Sequence, residues 1–330
     1  MPLIDVAIPV HNEEAHLEEA VRSILSQEEI GGDIRILLAD DGSTDGTPQI
    51  CQALAENDPR ITLLRNDANL GIIATLNRCL ERSDAKYFAR MDADDIALPR
   101  RLATQVDFMR AHALSLCGGE MLLFGQARGR MRCASNERDY AATLLFRPPF
   151  GHPTAMMDRE RMAARGLRYE HHPHAEDYGL WGAFFLCGEP AACIPAPLLK
   201  YRVREASVSR TEASTQLKTA LEISIALWER RDLAPSAQCL SVLRDALAHR
   251  QFARHAPAEL LEALSEVRAA VDPALISGWA RSEFVSFCMR FFQPSDARPD
   301  RAAALRILAR LDAAGCWTYH WRRKLLSDRL

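Results

Sequence analysis

The chain has 330 residues, 48% of them apolar and 26% charged, with 16 Gly and 17 Pro, which excludes a collagen, a coiled coil or a low-complexity disordered segment. At about 150 residues per domain the length predicts two domains, each able to bury a core without disulfide staples. The 41 basic and 44 acidic residues leave a formal charge of −3, so no global basic excess points to nucleic acid as a partner.

In chain order, Ile4 to Val10 reads as a buried strand, and Leu17, Val21 and Ile24 set a helix from about Glu14 to Leu25. A strand at Ile34 to Ala39 precedes a helix at Thr47 to Glu56, and Ile61 to Leu64 with Ile72 to Leu80 repeats the pair. Tyr87 to Met91 is a fourth strand, ahead of a helix at Leu102 to Ala111. Strands alternating with helices of these lengths predict an α/β sheet with parallel pairing and helices on both faces. Leu114 to Phe124, Thr154 to Met157 and Ala192 to Tyr201 read as further strands, and Glu176 to Leu186 as a helix. From about Ser214 the pattern is helical, with helices expected at 214–231, 236–250, 258–270, 275–291, 301–313 and 317–328, punctuated by Pro235, Pro257, Pro273, Pro294 and Gly315. The expected division is 1–210 and 211–330.

The nine cysteines are odd in number, and Cys187 and Cys193, the closest pair, lack C-x-x-C spacing. With no basic leader before Ile4, the expectation is reduced thiols in a cytoplasmic protein. No apolar run approaches the roughly 18 residues of a membrane span; Leu180 to Leu199 is interrupted by Glu189 and several prolines.

In open α/β sheets ligands gather at the carboxyl ends of the strands. Here the first strand ends in Pro9-Val10-His11-Asn12-Glu13-Glu14, the second in Asp40-Asp41-Gly42-Ser43-Thr44-Asp45-Gly46-Thr47, and the fourth in Met91-Asp92-Ala93-Asp94-Asp95. Carboxylates crowded into one crevice repel one another, so a cation or hydrogen-bonding ligand is expected among them. Asp92 and Asp94, one residue apart, are expected on one side of an extended strand end, as hard oxygen ligands for magnesium or manganese holding a diphosphate. The simpler alternative is that these acids cap the helix beyond Pro99. Asp41-x-Ser43-x-Asp45-Gly46 imitates a calcium loop, but Gln52 stands where the bidentate Glu belongs and a strand precedes it. The chain has neither G-x-G-x-x-G after the first strand nor a P-loop motif, which speaks against a nicotinamide dehydrogenase or a P-loop NTPase.

Taken together, P-V-x-N-E-E, D-D-G-S-T-D-G-T, N-x-G at Asn69 to Gly71, and M-D-A-D-D-x-x-x-P-x-R-L at Met91 to Leu102 resemble the inverting family 2 glycosyltransferases of GT-A fold, especially those of bacterial lipopolysaccharide, O-antigen and capsule synthesis. The similarity covers about residues 3 to 210. It implies a Rossmann-like mixed sheet with helices on both faces for those residues, while the C-terminal all-helical region rests on the pattern alone. It also implies that Pro9, Val10, Asn12, Glu13, Asp40, Asp41 and Asn69 hold a nucleotide-sugar, with UDP favoured. Asp92 then lies near ribose and metal and Asp94 ligates Mn2+ or Mg2+, while Asp95 is second-rank.

Inversion needs one base for the acceptor hydroxyl. The resemblance places it in Ala175-Glu176-Asp177-Tyr178, with Asp177 as base and Glu176 beside it; otherwise these acids simply favour a helix N-terminus. His152, in Gly151-His152-Pro153-Thr154, and His174, in His171-His172-Pro173-His174, are acceptor-side candidates; a core histidine and solvent-exposed imidazoles are the respective alternatives. Tyr201-Arg202-Val203-Arg204, with Ser207 and Ser209, resembles the segment that closes such domains, and Arg202 is expected to contact the diphosphate or else to form a surface ion pair. From Glu212 onward 17 Lys/Arg face 14 Asp/Glu. Trp317, Tyr319, Trp321, Arg322, Arg323 and Lys324 suit a helix lying on the inner face of a membrane, where a lipid-linked acceptor would be met, or one packed on the catalytic domain. A non-catalytic nucleotide-sugar-binding module and a sugar-nucleotide nucleotidyltransferase are the competing functions.

Overall fold

The computed structural model describes residues 1–134, 136–204, 213–249, 258–272, 277–289, 291, 309, 312, 314–316 and 318–319. The chain forms two compact units. One comprises Met1–Glu137, Pro149–His171 and Gly179–Glu205; the other comprises Arg138–Pro148, His172–Tyr178 and Ala206–Leu330. Two short upstream stretches therefore group with the C-terminal residues, and the units interleave along the sequence.

The first unit opens with β1 (Ile4–Val10), α1 (Leu17–Leu25), β2 (Ile34–Asp41), α2 (Thr47–Asn57), β3 (Ile61–Asn66), α3 (Ile72–Arg82) and β4 (Tyr87–Arg90). Then come β5 (Ile96–Ala97), α4 (Arg101–Ala111), β6 (Leu116–Gly125) and β7 (Gly129–Met131). Beyond α5 (Glu137–Leu144), which apart from Glu137 belongs to the second unit, lie β8 (Met156–Asp158), α6 (Arg159–Ala164), α7 (Glu176–Leu186), whose first three residues also belong to the second unit, and β9 (Ala191–Val203). The strands form one mixed sheet in the order β3-β2-β1-β4-β8-β6-β9-β5, with β7 paired to β6. β3, β2, β1 and β4 are parallel, whereas β8 is antiparallel to both β4 and β6. The register Val10↔Asp40 and Asp41↔Asn66 brings the carboxyl ends of β1, β2 and β3 to one edge.

Why these segments fold so follows from their apolar spacing. Central β1 is buried along nearly its whole length, as a strand covered on both faces must be. Leu17, Ala20, Val21 and Ile24 supply the single apolar stripe of α1. Asp5 is the exception within β1: fully buried, it accepts Arg35 Nε and Nη2 at 2.8 Å each and Ser83 Oγ at 2.7 Å. Three charge-assisted bonds offset its desolvation.

The structure corrects the sequence expectations in several places. α1 begins at Leu17 rather than Glu14, because Glu13 and Glu14 are drawn into bonds with the β2–α2 loop. Thr154 closes a short 3-10 turn instead of opening a strand. The elements β5, β7, α5 and α6 had not been anticipated. All nine cysteines are free thiols.

The second unit adds α8 (Ala213–Arg230), α9 (Ala237–His249), α10 (Ala258–Ala270) and α11 (Gly278–Met289). Its core holds Trp228, whose Nε1 donates to Leu145 O at 3.0 Å, and Phe146 packed against Phe284 and Phe287. Arg147 makes a two-pronged bond to the buried Glu283 carboxylate at 2.6 and 3.0 Å. Ser207, Ser209, Trp317, Trp321, Arg322, Arg323, Lys324 and most of the two last expected helices lie outside the described residues. Among the described residues no helix is long and apolar enough to cross a membrane.

Candidate active site

The loops after β1 and β2 are fastened to each other. Asn12 sits in the left-handed region at φ 52°; its N–H donates to Ser43 Oγ at 3.0 Å and its Oδ1 accepts Thr44 N–H at 2.8 Å. Glu13 N–H donates to Thr47 Oγ1 at 2.8 Å, and Glu14 Oε2 accepts Gly46 N–H at 2.7 Å. Pro9 and Val10 are ladder residues opposite Ala39 and Asp40.

Asp40 and Asp41 are engaged by the chain itself. Asp40 accepts Ser43 N–H at 3.1 Å. Asp41 accepts Asn66 Nδ2 at 2.7 Å and the Leu70 and Gly71 N–H groups at 2.9 Å each. Burial alone would push its carboxyl up; bonds from Asn66, Leu70, Thr75 and Gly71 more than offset this and hold it below the usual range. The loop thus fixed carries Asn69, exposed, with its Oδ1 on Gly71 N–H at 3.0 Å. Beneath it Gly42 has φ +67°, and a Cβ there would stand 2.4 Å from the Ala68 carbonyl carbon.

The third acidic segment departs from expectation. β4 ends at Arg90, and Met91–Asp95 is a tight turn closed by Asp95 N–H on Asp92 O at 3.4 Å, so Asp92 and Asp94 do not continue an extended strand. Nor are these acids unpaired without the cation or ligand expected among them, because arginines of the chain itself offset their charge. Arg90 pairs with Asp92, and Arg204 Nη2 lies 2.5 Å from Asp94 Oδ2 and 2.6 Å from Glu13 Oε2. Asp95, wholly buried, accepts the Arg202 N–H at 2.9 Å. Arg202, the expected diphosphate contact, is committed elsewhere: Nε to Asp94 O at 2.9 Å, Nη2 to Glu19 at 2.8 Å, and its guanidinium over Phe124 at 4.4 Å. Arg90 and Arg204 were missed as partners. The available signal was spacing, since Arg202 and Arg204 are two residues apart at a strand end and share a side.

Burial and the Asp92 charge push the Asp94 carboxyl up, against the pull of Arg204. Burial, Asp92 and Asp94 push Asp95 up to about 9. The Asp92 and Asp94 side chains keep 29% and 21% of their surface exposed, enough for a ligand to reach them. Among the described residues no three His, Cys, Asp or Glu side chains gather as a self-sufficient metal site. Two reachable carboxylates fit a hard cation whose remaining ligands are phosphate oxygens and water.

His152 is buried in the first unit, its Nε2 bonded to Tyr169 OH at 2.9 Å and its ring edge-on to Trp181 at 5.9 Å. Tyr169 is held in turn by both its backbone groups on Asn77. This is a core histidine rather than a surface contact. Glu176, Asp177 and His174 belong to the second unit, and the acidic loops to the first. Asp177 sits in the first turn of α7 and its Oδ1 accepts Tyr178 N–H at 2.7 Å. Tyr178 anchors that turn through its hydroxyl, which lies 2.7 Å from Leu144 O and 2.9 Å from Ser224 Oγ. His174 has φ 58° and its carbonyl accepts Gln216 Nε2 at 2.9 Å.

Residues 5–165 match Glycosyl transferase family 2. The chain is 34% identical over 212 residues to EpsE of Bacillus subtilis, named as a glycosyltransferase, an overlap of 62% of this chain and 74% of EpsE. It is 26% identical over 226 residues to the amylovoran biosynthesis glycosyltransferase AmsE of Erwinia amylovora, covering 67% and 84% respectively. Two solved structures share the fold. TarS residues 1–349 of S. aureus, in complex with UDP-GlcNAc, has TM-score 0.56 and 16% identity, with 96% of this chain and 89% of that one covered. The mannosyltransferase PcManGT of Pyrobaculum calidifontis, in complex with GDP-Man and Mn2+, has TM-score 0.54 and 19% identity, with coverage of 96% and 83%.

Proposed function

This chain belongs to glycosyl transferase family 2 and has the GT-A fold, which makes it an inverting glycosyltransferase; from that premise we propose a divalent-cation-dependent transfer of one sugar from a nucleotide-diphosphate donor, UDP favoured, to a glycan or lipid-linked acceptor in cell-surface polysaccharide synthesis. The observation that carries this reading is the Asp92–Asp95 turn, whose two reachable carboxylates lie beside cationic groups, Asp92 against Arg90 and Asp94 against Arg204. The names of AmsE, TarS and PcManGT support it in polysaccharide synthesis, UDP-sugar binding and manganese binding respectively.

In this reading Pro9, Val10, Asn12, Glu13, Asp40 and Asn69 shape the recess for base and ribose, and Asp41 braces its wall. Asp92 and Asp94 would hold Mn2+ or Mg2+. When bound, the cation supplies charge stabilisation to the departing diphosphate. Asp177 takes the proton of the acceptor hydroxyl as its oxygen bonds to the anomeric carbon and the bond to the diphosphate oxygen breaks. Glu176 orients the acceptor. Residues 1–210 carry catalysis, and the helical region 211–330 meets the acceptor or an inner membrane surface.

The test is a panel of nucleotide-sugars with acceptor extract, with and without Mn2+, scored by nucleotide release. Nucleoside diphosphate released in step with acceptor labelling is the expected result. Pyrophosphate release would identify a nucleotidyltransferase. Donor binding without turnover on the whole panel would identify a binding module.

A further inference from the structure

Arg204 stands at the point where three lines of the site converge. One guanidinium nitrogen bridges Glu13, from the loop after β1, and Asp94, from the turn after β4, at 2.6 and 2.5 Å. Its Nε is buried and has no hydrogen-bond partner among the described residues. Neighbouring Arg202 is tied down by Asp94 O, Glu19 and Phe124, so it is not interchangeable with Arg204. An arginine keeps its charge at any working pH. A divalent cation seeking Asp94 therefore meets a carboxylate already neutralised by a like charge, and the two cations repel at that distance. A diphosphate changes the balance, because its oxygens suit the guanidinium fork, including the unspent Nε–H.

We propose that Arg204 is a positioning residue that surrenders Asp94 to the metal when a diphosphate takes its guanidinium, so that metal and nucleotide bind as a coupled pair. This rests on reading Asp94 as a metal ligand and the diphosphate as part of the donor. Arg204 thereby keeps the acidic turn satisfied in the free protein and delivers a positive charge to the leaving group in the loaded one. Coupling is reciprocal: whatever the nucleotide adds to metal affinity, the metal adds to nucleotide affinity.

The test titrates MnCl2 into the full-length, nucleotide-free protein, reading free Mn2+ by electron paramagnetic resonance, and repeats the titration with saturating UDP. Arg204→Gln is expected to bind Mn2+ about tenfold tighter than the unsubstituted protein without UDP, the gain from removing one competing charge. In metal-free buffer it is expected to bind UDP about tenfold more weakly, and UDP then tightens its Mn2+ binding less than in the parent. Arg204→Lys, which keeps the charge without the fork, falls between them. Unchanged Mn2+ affinity in both variants, with binding still abolished by Asp94→Asn, overturns the coupling and leaves the metal site standing. Mn2+ affinity unaltered by Asp94→Asn overturns both.

Discussion

The carboxylate of Asp41 receives the Gly71 N–H at 2.9 Å, across thirty residues of chain. With the Leu70 N–H and Asn66 Nδ2 on its other oxygen, Asp41 makes the β3–α3 loop a fixed wall of the proposed nucleotide recess. An acid read from sequence as a ligand contact is, in the free protein, a brace for its neighbour.

That brace has a pH signature. The folded Asp41 carboxyl is held below its unfolded value, so its stabilisation is complete above about pH 4 and is lost as pH falls through the folded value. Asp41→Asn places an amide donor against backbone donors and is expected to cost about 1–3 kcal/mol at pH 7. Urea unfolding at pH 7, 4 and 3 checks this. The gap between the two proteins should narrow on acidification, and a constant gap contradicts the assignment.

Gly42→Ala should disturb the same wall from below. Its φ of +67° and the 2.4 Å approach to the Ala68 carbonyl carbon leave no room for a methyl group. Backbone strain alone costs about 1–2 kcal/mol, and displacement of Ala68 and Asn69 adds to it. UDP binding by calorimetry should weaken more than urea unfolding alone would account for.

Asp5 offers a contrasting prediction, structural and remote from the acidic loops. It lies near the opposite end of β1 and binds Arg35 and Ser83. Removing one partner of a buried pair costs about 3–5 kcal/mol. Asp5→Asn belongs at the low end, because Arg35 is partly exposed and keeps Asp84 at 2.6 Å. Nucleotide release per folded molecule should not change.

Much of this was legible in the sequence. Runs such as Ile4–Val10 and Ile34–Ala39 are apolar enough to declare buried strands, and α7 was bounded correctly because acids open it. β5, only two residues long, was invisible: its pairing to β9 depends on Lys200 and Leu199, far along the chain. The Asp92–Asp95 segment was recognised by residue type but misjudged in shape, since alternation logic does not reveal a turn. Arg204's hold on Asp94 and Glu13 links three distant segments, which no local pattern encodes. His152 was ambiguous until Tyr169 and Trp181 were seen around it.

Asp177→Asn tests the proposed base. The amide keeps the shape of the first turn of α7, so thermal unfolding should be unaltered within about 1 kcal/mol. Removing a general base costs about 10²–10⁴-fold, so turnover should collapse while UDP affinity persists. Full turnover in this variant would move the base elsewhere, with Glu176 the next residue to substitute.

The most direct measurement of the central claim is donor turnover across a Mn2+ titration, in the unsubstituted protein and in Asp94→Asn side by side. With a productive nucleotide-sugar and acceptor, release of nucleoside diphosphate should rise with Mn2+ in the first. In the second it should fall by about 10²-fold or more, several kcal/mol of leaving-group stabilisation. Equal, metal-independent release by both proteins would contradict a cation held at the Asp92–Asp95 turn.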